Sequence, residues 1–524
     1  MIWDAFRPQS PQVHAIAGLF DGFLILAAVI FLIVAGLVGF SLVRYRARAG
    51  AADPRPTFGS RRIEIAWTAV PLLVVTVIFV FTVRTMAFVD APREPGQPPD
   101  LVITGHQWWW EARYPNGAAT ANEIHIPVSR RLLARIESVD VIHDFWTPQL
   151  ARKMDAVPGR PGYIWLEADA PGAFAGACAE FCGKQHAWMR FQVVAEPEAE
   201  FSAWLRHQAE LPAEPTGAAA EGTRVFREQK CGDCHAVSAA DVRAAKGPSL
   251  AHIATPKPPR RRASEHIGES RPLDRQPAVH QARQPHAGPQ PHPCRRPGLD
   301  RLPGVASMRG PRLWLSTVDH KQIGVMYMVT ALFFFLVGGI EAMMMRAQLS
   351  LPNLTVLAPE IYNQVFTMHG TTMIFLVVMP VLIGFGVYLV PLMIGASEMA
   401  FPRLNALTFW LQVCGGFLLY VSFLAGGAPD AGWFSYAPLS EKPYSPHPGL
   451  DYWALGLLLL GFGTVLAAVN FIVTIAAQRA PGMTIRRLPL FAWMTLVNSV
   501  LILFALPALN AALVMLLSDR RAAQ

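Results

Sequence analysis

Residues 178–189 read Cys-Ala-Glu-Phe-Cys-Gly-Lys-Gln-His-Ala-Trp-Met, which brings two thiols, an imidazole and a thioether into one short run. Soft thiolates and a weak thioether select copper over harder cations. With one further imidazole from upstream the run can hold two copper ions, the sulfurs of Cys178 and Cys182 bridging the pair and each metal taking one terminal histidine. His186 supplies one ring. His143, in Asp-Val-Ile-His-Asp-Phe-Trp-Thr-Pro, is expected to supply the other, presented from a strand end by an apolar run with turn residues after it. Met189 and the backbone carbonyl of Glu180 are the weak axial candidates. Zinc is the common partner of Cys and His at short spacing; the trailing methionine argues against it.

The 524 residues are 52% apolar and 16% charged, long enough for several domains and too apolar to be wholly soluble. Of the six cysteines, Cys178, Cys182, Cys231 and Cys234 fall at metal or haem spacing, and Cys294 and Cys414 make no obvious structural pair. The net charge of +8 comes largely from arginines beside apolar runs, a topological signal rather than one for nucleic acid.

Two apolar runs, near 19–43 and 63–88, exceed the roughly 20 residues that cross a bilayer. The first is too long for the h-region of a cleaved signal peptide. Arg44, Arg46, Arg48, Arg55, Arg61 and Arg62 lie between them, so this loop is expected inside and the hairpin opens outward. Residues 100–201 read as short alternating strands with Pro and Gly turns, which fits an all-β sandwich. After a linker near 210–220 comes Cys231-Gly-Asp-Cys234-His235, the attachment motif of a c-type haem, preceded by an amphipathic helical pattern and followed by Gly247-Pro248. Two thiols add across the haem vinyls and the adjacent imidazole reaches the iron. A second axial ligand and a closing helix are missing. Residues 256–311 are rich in Pro, Arg, His and Gln without apolar periodicity. They read as a disordered linker or, as favoured here, an out-of-frame translation of the rest of the haem segment, which would empty Cys294 of meaning. Beyond Arg312 five apolar runs follow, near 322–345, 362–393, 404–425, 453–477 and 488–517.

The copper run resembles subunit II of the cytochrome c oxidases, whose dicopper centre has the pattern Cys-x-Glu-x-Cys-x3-His-x2-Met after a Val-Ile-His segment. His143, Cys178, Glu180, Cys182, His186 and Met189 all match it. The resemblance implies a two-helix anchor carrying a cupredoxin-like domain, here with a mono-haem cytochrome c segment of the kind fused to some bacterial subunits II. In Gly105-His-Gln-Trp-Trp-Trp-Glu111 it makes Trp108 the point where electrons arrive, while three tryptophans along a strand put one or two into the core. Glu64 matches the acid at the mouth of a proton pathway, or is simply a first-turn acid complementing the helix dipole.

The last part resembles the first helices of subunit I, through Ser316-Thr-Val-Asp-His-Lys-Gln-Ile-Gly, Ile361-Tyr-Asn-Gln-Val-Phe-Thr-Met-His369-Gly and Ala400-Phe-Pro-Arg-Leu-Asn405. It implies that His369 is an axial ligand of a low-spin haem A and that Arg346 faces that haem's formyl group; a packing histidine and a snorkelling arginine are the plain alternatives. Glu398 stands where many oxidases have Asp, and Val387 replaces a usual Asn although Asn405 is kept, which puts a second proton pathway in doubt. The later helices that carry the oxygen-reducing site are absent from these 524 residues, so oxygen reduction is expected elsewhere.

The expected fold is thus a multi-domain membrane protein: a transmembrane hairpin (1–92), an all-β cupredoxin-like dicopper domain (93–208), a truncated α-helical cytochrome c segment (217–255), the linker (256–311) and a five-helix all-α fragment of subunit I (312–524). The expected function is electron transfer from cytochrome c, through haem c and two copper ions toward haem A, in a proton-translocating oxidase of the bacterial plasma membrane. The copper and haem c parts would face the periplasm, and the partners would be the remaining oxidase subunits with a full-length subunit I, the donor and the bilayer. The alternative is a non-catalytic copper-binding membrane protein derived from an oxidase, which would need neither Trp108 nor the haem motif. Arg479, Arg486 and Arg487 place Arg312 inside while the haem segment is outside, and no apolar run between them crosses back. The two halves therefore read as two adjacent genes read through, or as a chain that does not assemble as written.

Overall fold

Helix α1 (Pro11–Arg44) begins where Ser10 accepts the Val13 amide at 3.2 Å and Pro11 fills the first helical position, which needs no N–H donor. The computed structural model of the protein describes residues 7–46, 60–90, 97–210, 216–235, 247, 250, 314–351 and 354–522; the linker 256–311, Cys294 and Arg312 lie outside them. Helix α2 (Arg61–Val89) returns beside α1. Both expose Leu, Ile, Val and Phe on nearly every side, the surface of a helix solvated by lipid. The open end of this hairpin is tied to the β-domain: Ser10 Oγ donates to the Leu150 carbonyl at 2.7 Å, and Arg152 pairs with Asp90 at 3.1 Å.

The β-domain contains two five-stranded sheets, ordered β3-β2-β1-β5-β8 and β4-β10-β9-β6-β7. The first holds β1 (Leu101–His106), β2 (Trp109–Arg113), β3 (Ala119–Ala121), β5 (Leu132–Ser138) and β8 (Gly162–Leu166); the second holds β4 (Glu123–Pro127), β6 (His143–Trp146), β7 (Met154–Ala156), β9 (Gly172–Cys178) and β10 (Arg190–Glu196). Most neighbours are antiparallel, but β1–β5 and β10–β4 run parallel. Alternating apolar residues turn inward from both sheets, so that Ile103, Ile124, Ile136, Phe145 and Val193 share one core. A helix that the strand pattern does not announce closes the domain. This is α3 (Glu198–Ala209), started by Pro197, with Glu198 and Glu200 in its first turn and Arg206 and His207 in its last, each sign favourable to the dipole. Helix α4 (Ala218–Glu228) follows, so the linker expected near 210–220 is shorter than the sequence reading made it.

The C-terminal bundle consists of α5 (His320–Gln348), α6 (Pro359–Thr371), a π-helical stretch (Thr372–Val378), α7 (Met379–Ile394), α8 (Pro402–Val421), α9 (Gly449–Ala477) and α10 (Leu490–Ala522). The π-stretch runs into Pro380, which has no N–H to give and crowds the preceding turn; the wider winding accommodates it. Small residues let α8 and α9 touch: a Cβ on Gly415 would lie 2.9 Å from the Gly456 carbonyl. Arg520 is fully buried, yet satisfied by Asp451 at 2.7 Å and by the carbonyls of Ser440, Ser445 and His447. Among the described residues seven helices, counting Pro359–Ile394 as one, are long and apolar enough to cross a membrane.

The β-domain sits on one end of this bundle. Lys184 pairs with Glu360 in the first turn of α6 at 3.0 Å, and the Phe181 and Phe366 rings are 5.5 Å apart. His320, at the start of α5, lies at the other end.

Candidate metal centre

Strand β9 delivers Cys178 and the neighbouring strand β6 delivers His143; Phe145 is paired with Cys178, so the two ligands come from adjacent strand ends. The loop after Cys178 turns at Gly183, whose φ of +107° favours glycine. It returns through a single 3₁₀ turn (His186–Trp188), and the Cys178 amide bonds to the Met189 carbonyl at 2.9 Å. The loop is thereby closed on itself. The two sulfurs are 3.8 Å apart, Cys178 Sγ lies 3.9 Å from His143 Nδ1, Cys182 Sγ lies 3.6 Å from His186 Nδ1 and 3.7 Å from Met189 Sδ, and the Glu180 carbonyl is 3.1 Å from Cys178 Sγ. Two ligands at about 2.0–2.3 Å from one ion at a tetrahedral angle are separated by about 3.5–3.8 Å, so these donors fit shared metal ions. His143, Cys178 and Cys182 also form the one candidate metal cluster of three or more such side chains among the described residues. Cys182, Met189 and His143 are buried, while His186 is half-buried toward the surface.

Two thiolates this close repel each other without a cation. The Cys182 thiol, hydrogen-bonded to Cys178, together with His143 and His186 pulls Cys178 far below the ordinary thiol range, while that same contact and burial push Cys182 up. A bound cation would remove the conflict, because thiolate is the metal-binding form.

Three supporting residues escaped the sequence reading. Asp140 accepts from the Gln107 amide at 2.6 Å and from the Val141 amide at 2.6 Å, and its Oδ1 lies 2.8 Å from His143 Nε2. Burial pushes its carboxyl up, but His143 and these amides outweigh burial and hold it below the usual range. The His143 ring is thereby oriented with Nδ1 toward Cys178. Gln107 and Trp108 both donate to the Cys182 carbonyl at 2.9 Å. Gly105 leaves room for the ring; a Cβ there would lie 2.7 Å from His143 Cδ2.

The three tryptophans do not share a strand. Trp108 occupies the two-residue turn between β1 and β2, Trp109 stacks on His106 at 4.3 Å, and only Trp110 is core, edge-on to His143 at 5.8 Å. Turn geometry, not alternation, therefore aims Trp108 at the metal loop.

The other candidate residues lie apart. Cys231 opens a short 3₁₀ turn (Cys231–Asp233); Cys231 and Cys234 are exposed and unpaired, and a Cβ on Gly247 would come within 3.0 Å of the His235 ring. His369 Nδ1 is 2.9 Å from the Gly338 carbonyl of α5, which assigns the proton to Nδ1 and leaves Nε2 as the free donor atom for a metal. Arg346 is exposed in the last turn of α5. Glu64 is exposed in the first turn of α2. Glu398 accepts from the His320 amide at 2.9 Å and the Met399 amide at 3.1 Å, and Asn405, near it in sequence, is buried with no partner for its side-chain amide among the described residues.

Family comparison agrees with the division of the fold. Residues 6–85 match the family described as cytochrome C oxidase subunit II, transmembrane domain, and residues 117–196 match its periplasmic domain. Residues 322–523 match cytochrome C and quinol oxidase polypeptide I. The chain joins segments of the cytochrome c oxidase subunit II family to a segment of the subunit I family. The subunit I part is 53% identical over 213 residues to cytochrome c oxidase subunit 1 of Bacillus sp. (strain PS3), covering 40% of this chain and 34% of that protein. It is 49% identical over 207 residues to quinol oxidase subunit 1 of Bacillus spizizenii, covering 40% and 32%. The chain thus spans about a third of the length of these curated relatives. Among solved structures, the periplasmic domain of subunit II of cytochrome oxidase of Bradyrhizobium japonicum matches at 32% identity over 21% of this chain and 95% of that domain, with a TM-score of 0.20. The subunit I part of the chain is similar to subunits of cytochrome c oxidases and quinol oxidases alike.

Proposed function

We propose that the chain is an electron-transfer component of a respiratory terminal oxidase of the bacterial plasma membrane, with its β-domain on the periplasmic face. The observation that supports this best is the convergence of Cys178, Cys182, His186 and Met189 of the closed loop with His143 of β6, seated on the bundle that carries His369. When bound, two copper ions at this loop, a haem c on Cys231, Cys234 and His235 and a haem A on His369 supply one-electron carriers between cytochrome c and the oxygen-reducing part of a full-length subunit I. The protein's task is to keep the ligands still. Cys178 is fixed by strand pairing, Cys182 by Gln107 and Trp108, and His143 by Asp140, so the donor set barely moves when its charge changes. Half-buried Trp108 donates directly to the Cys182 carbonyl, which supports it as the residue that receives electrons. Arg346 is assigned to the haem A formyl group and Glu64 to the mouth of a proton pathway, both by family position.

The test is metal analysis and electron paramagnetic resonance on the full-length chain purified from membranes. Two copper ions per chain with one unpaired electron shared between two copper nuclei are expected, and Cys182→Ser should abolish the signal. A single zinc ion would overturn the reading. The rival, a copper-binding membrane protein outside respiration, would hold copper yet carry no covalent haem and accept no electrons from ferrocytochrome c.

A further inference from the structure

Glu341 lies in the interior of α5, in the apolar sequence Leu-Val-Gly-Gly-Ile-Glu-Ala-Met-Met, and is only 6% exposed. A carboxyl inside a membrane span is costly and marks a functional site by default. Its Oε1 accepts from the Tyr420 hydroxyl of α8 at 3.1 Å, and the Tyr420 oxygen is 2.6 Å from Thr372 Oγ1. Because tyrosine has one hydroxyl proton and gives it to Glu341, Thr372 must be the donor in the second bond. The three side chains form a directed chain, Thr372 to Tyr420 to Glu341, that ends on Glu341 Oε2. That atom is buried and has no hydrogen-bond partner among the described residues.

The surroundings are built for a polar guest. Thr372 is the first residue of the π-helical stretch, a winding that recurs at functional sites. Gln412 of α8 donates to the Phe375 carbonyl within that stretch at 2.9 Å, satisfying a backbone group inside the widened turn. Phe334 stacks over the Tyr420 ring at 5.6 Å and covers the site on its apolar side. Glu341 is one helical turn from Gly338, whose carbonyl holds His369, and Thr372 is one turn from His369 itself.

We propose that Glu341, Tyr420 and Thr372 form an intramembrane site that binds a water molecule and a proton, with Glu341 protonated and its free Oε2 bonded to the water. A carboxylic acid there donates from Oε2 while Oε1 accepts from Tyr420, so each polar atom has a partner; a carboxylate could accept from the same water but would place an uncompensated charge in an apolar setting. The water takes the bond from Oε2 and needs further polar partners of its own. The site requires neither copper nor haem.

Infrared difference spectroscopy of the full-length chain in lipid discs tests it, comparing wild type with Glu341→Gln at neutral pH. The expected result is a protonated-carboxyl C=O band that is present in the wild type, lost in E341Q and shifted in D2O. Tyr420→Phe removes the bond to Oε1 without touching the carboxyl, and should move the band rather than abolish it. Carboxylate bands in place of the acid band, or an acid band that is unmoved by D2O and by Y420F, would overturn the proposal. Glu341→Asp keeps the acid and supplies the comparison if E341Q fails to fold: absence of any acid band in that variant and the wild type alike would again count against it.

Discussion

Asp140 shows how much of a metal site rests on a residue that binds no metal. It holds His143 by Nε2 and is itself fixed by two backbone amides, so the imidazole can present only Nδ1 to Cys178. Asp140→Asn keeps the shape but loses the charge on this bond, and losing a bond that orients a ligating histidine weakens metal binding by about 10–100-fold. Competition with a copper chelator on the full chain checks it; unchanged affinity would show that the ring is held by packing alone. Gly105→Ala should be worse than its size implies, since the added methyl would lie 2.7 Å from the His143 ring, and a strained core insertion costs about 1–3 kcal/mol. A lowered unfolding midpoint with weakened copper binding is the expected outcome. The proposed ligands themselves were legible in the sequence because soft donors crowd one short run. Asp140 and Gly105 were not, because their roles exist only once β1, β5 and β6 converge. Glu341 was readable as an acid in an apolar run, yet its meaning depends on Tyr420, 79 residues away.

Helix α3 was invisible to a reading tuned to strands, although Pro197 followed by two acids is a helix start. It docks through Phe201 and through Trp204, which stacks on His125 at 3.8 Å. His125 joins three elements. Its Nδ1 is 3.1 Å from Glu196 of β10 and its Nε2 is 3.1 Å from Glu123 of β4, while Tyr114 exchanges hydrogen bonds with its backbone. Burial pushes the imidazole pKa down, but the two carboxylates outweigh burial and raise it above the ordinary value. A raised folded-state pKa gives stability that is complete below the unfolded value of about 6.5 and is lost as pH rises through the folded value. The unfolding midpoint of the β-domain, followed by tryptophan fluorescence in the full chain, should therefore fall as pH is raised above about 6.5, and His125→Gln should flatten that slope. An unchanged slope in H125Q would remove His125 as the cause. The transmembrane helices were the easiest elements to read, because apolar length alone defines them; the π-stretch was not, since it arises from Pro380 and from the seating of Gln412 on a backbone carbonyl.

Across the whole molecule the decisive relation is between the Cys178–Met189 loop and the two ends of the bundle. Lys184 and Phe181 touch α6 near its first turns, at Glu360 and Phe366, while Trp314 and His320 lie where α5 starts, at the other end. Helix α5 has 29 residues and is about 43 Å long, enough to span the bilayer. A continuous chain would have to leave the β-domain after α3 on one side of the membrane and reach Trp314 on the other. The sequence from 211 to 313 has no apolar run of about 20 residues to carry it across. Among the described residues the halves meet through an exposed ion pair, a ring contact and a shared apolar seam, contacts that separate subunits can also make. The expected outcome is two polypeptides, one carrying the subunit II part and the other the subunit I part. Tags at Met1 and Gln524 should then migrate as separate membrane-bound products that co-purify, and high salt should loosen them only slightly, since an exposed pair such as Lys184–Glu360 is worth roughly 0–1 kcal/mol. A single product of 57.5 kDa carrying both tags would refute separation. Protease protection in sealed vesicles would then have to place Trp314 on the same side as Lys184, which requires the bundle to insert inverted and takes Glu360 away from the copper loop.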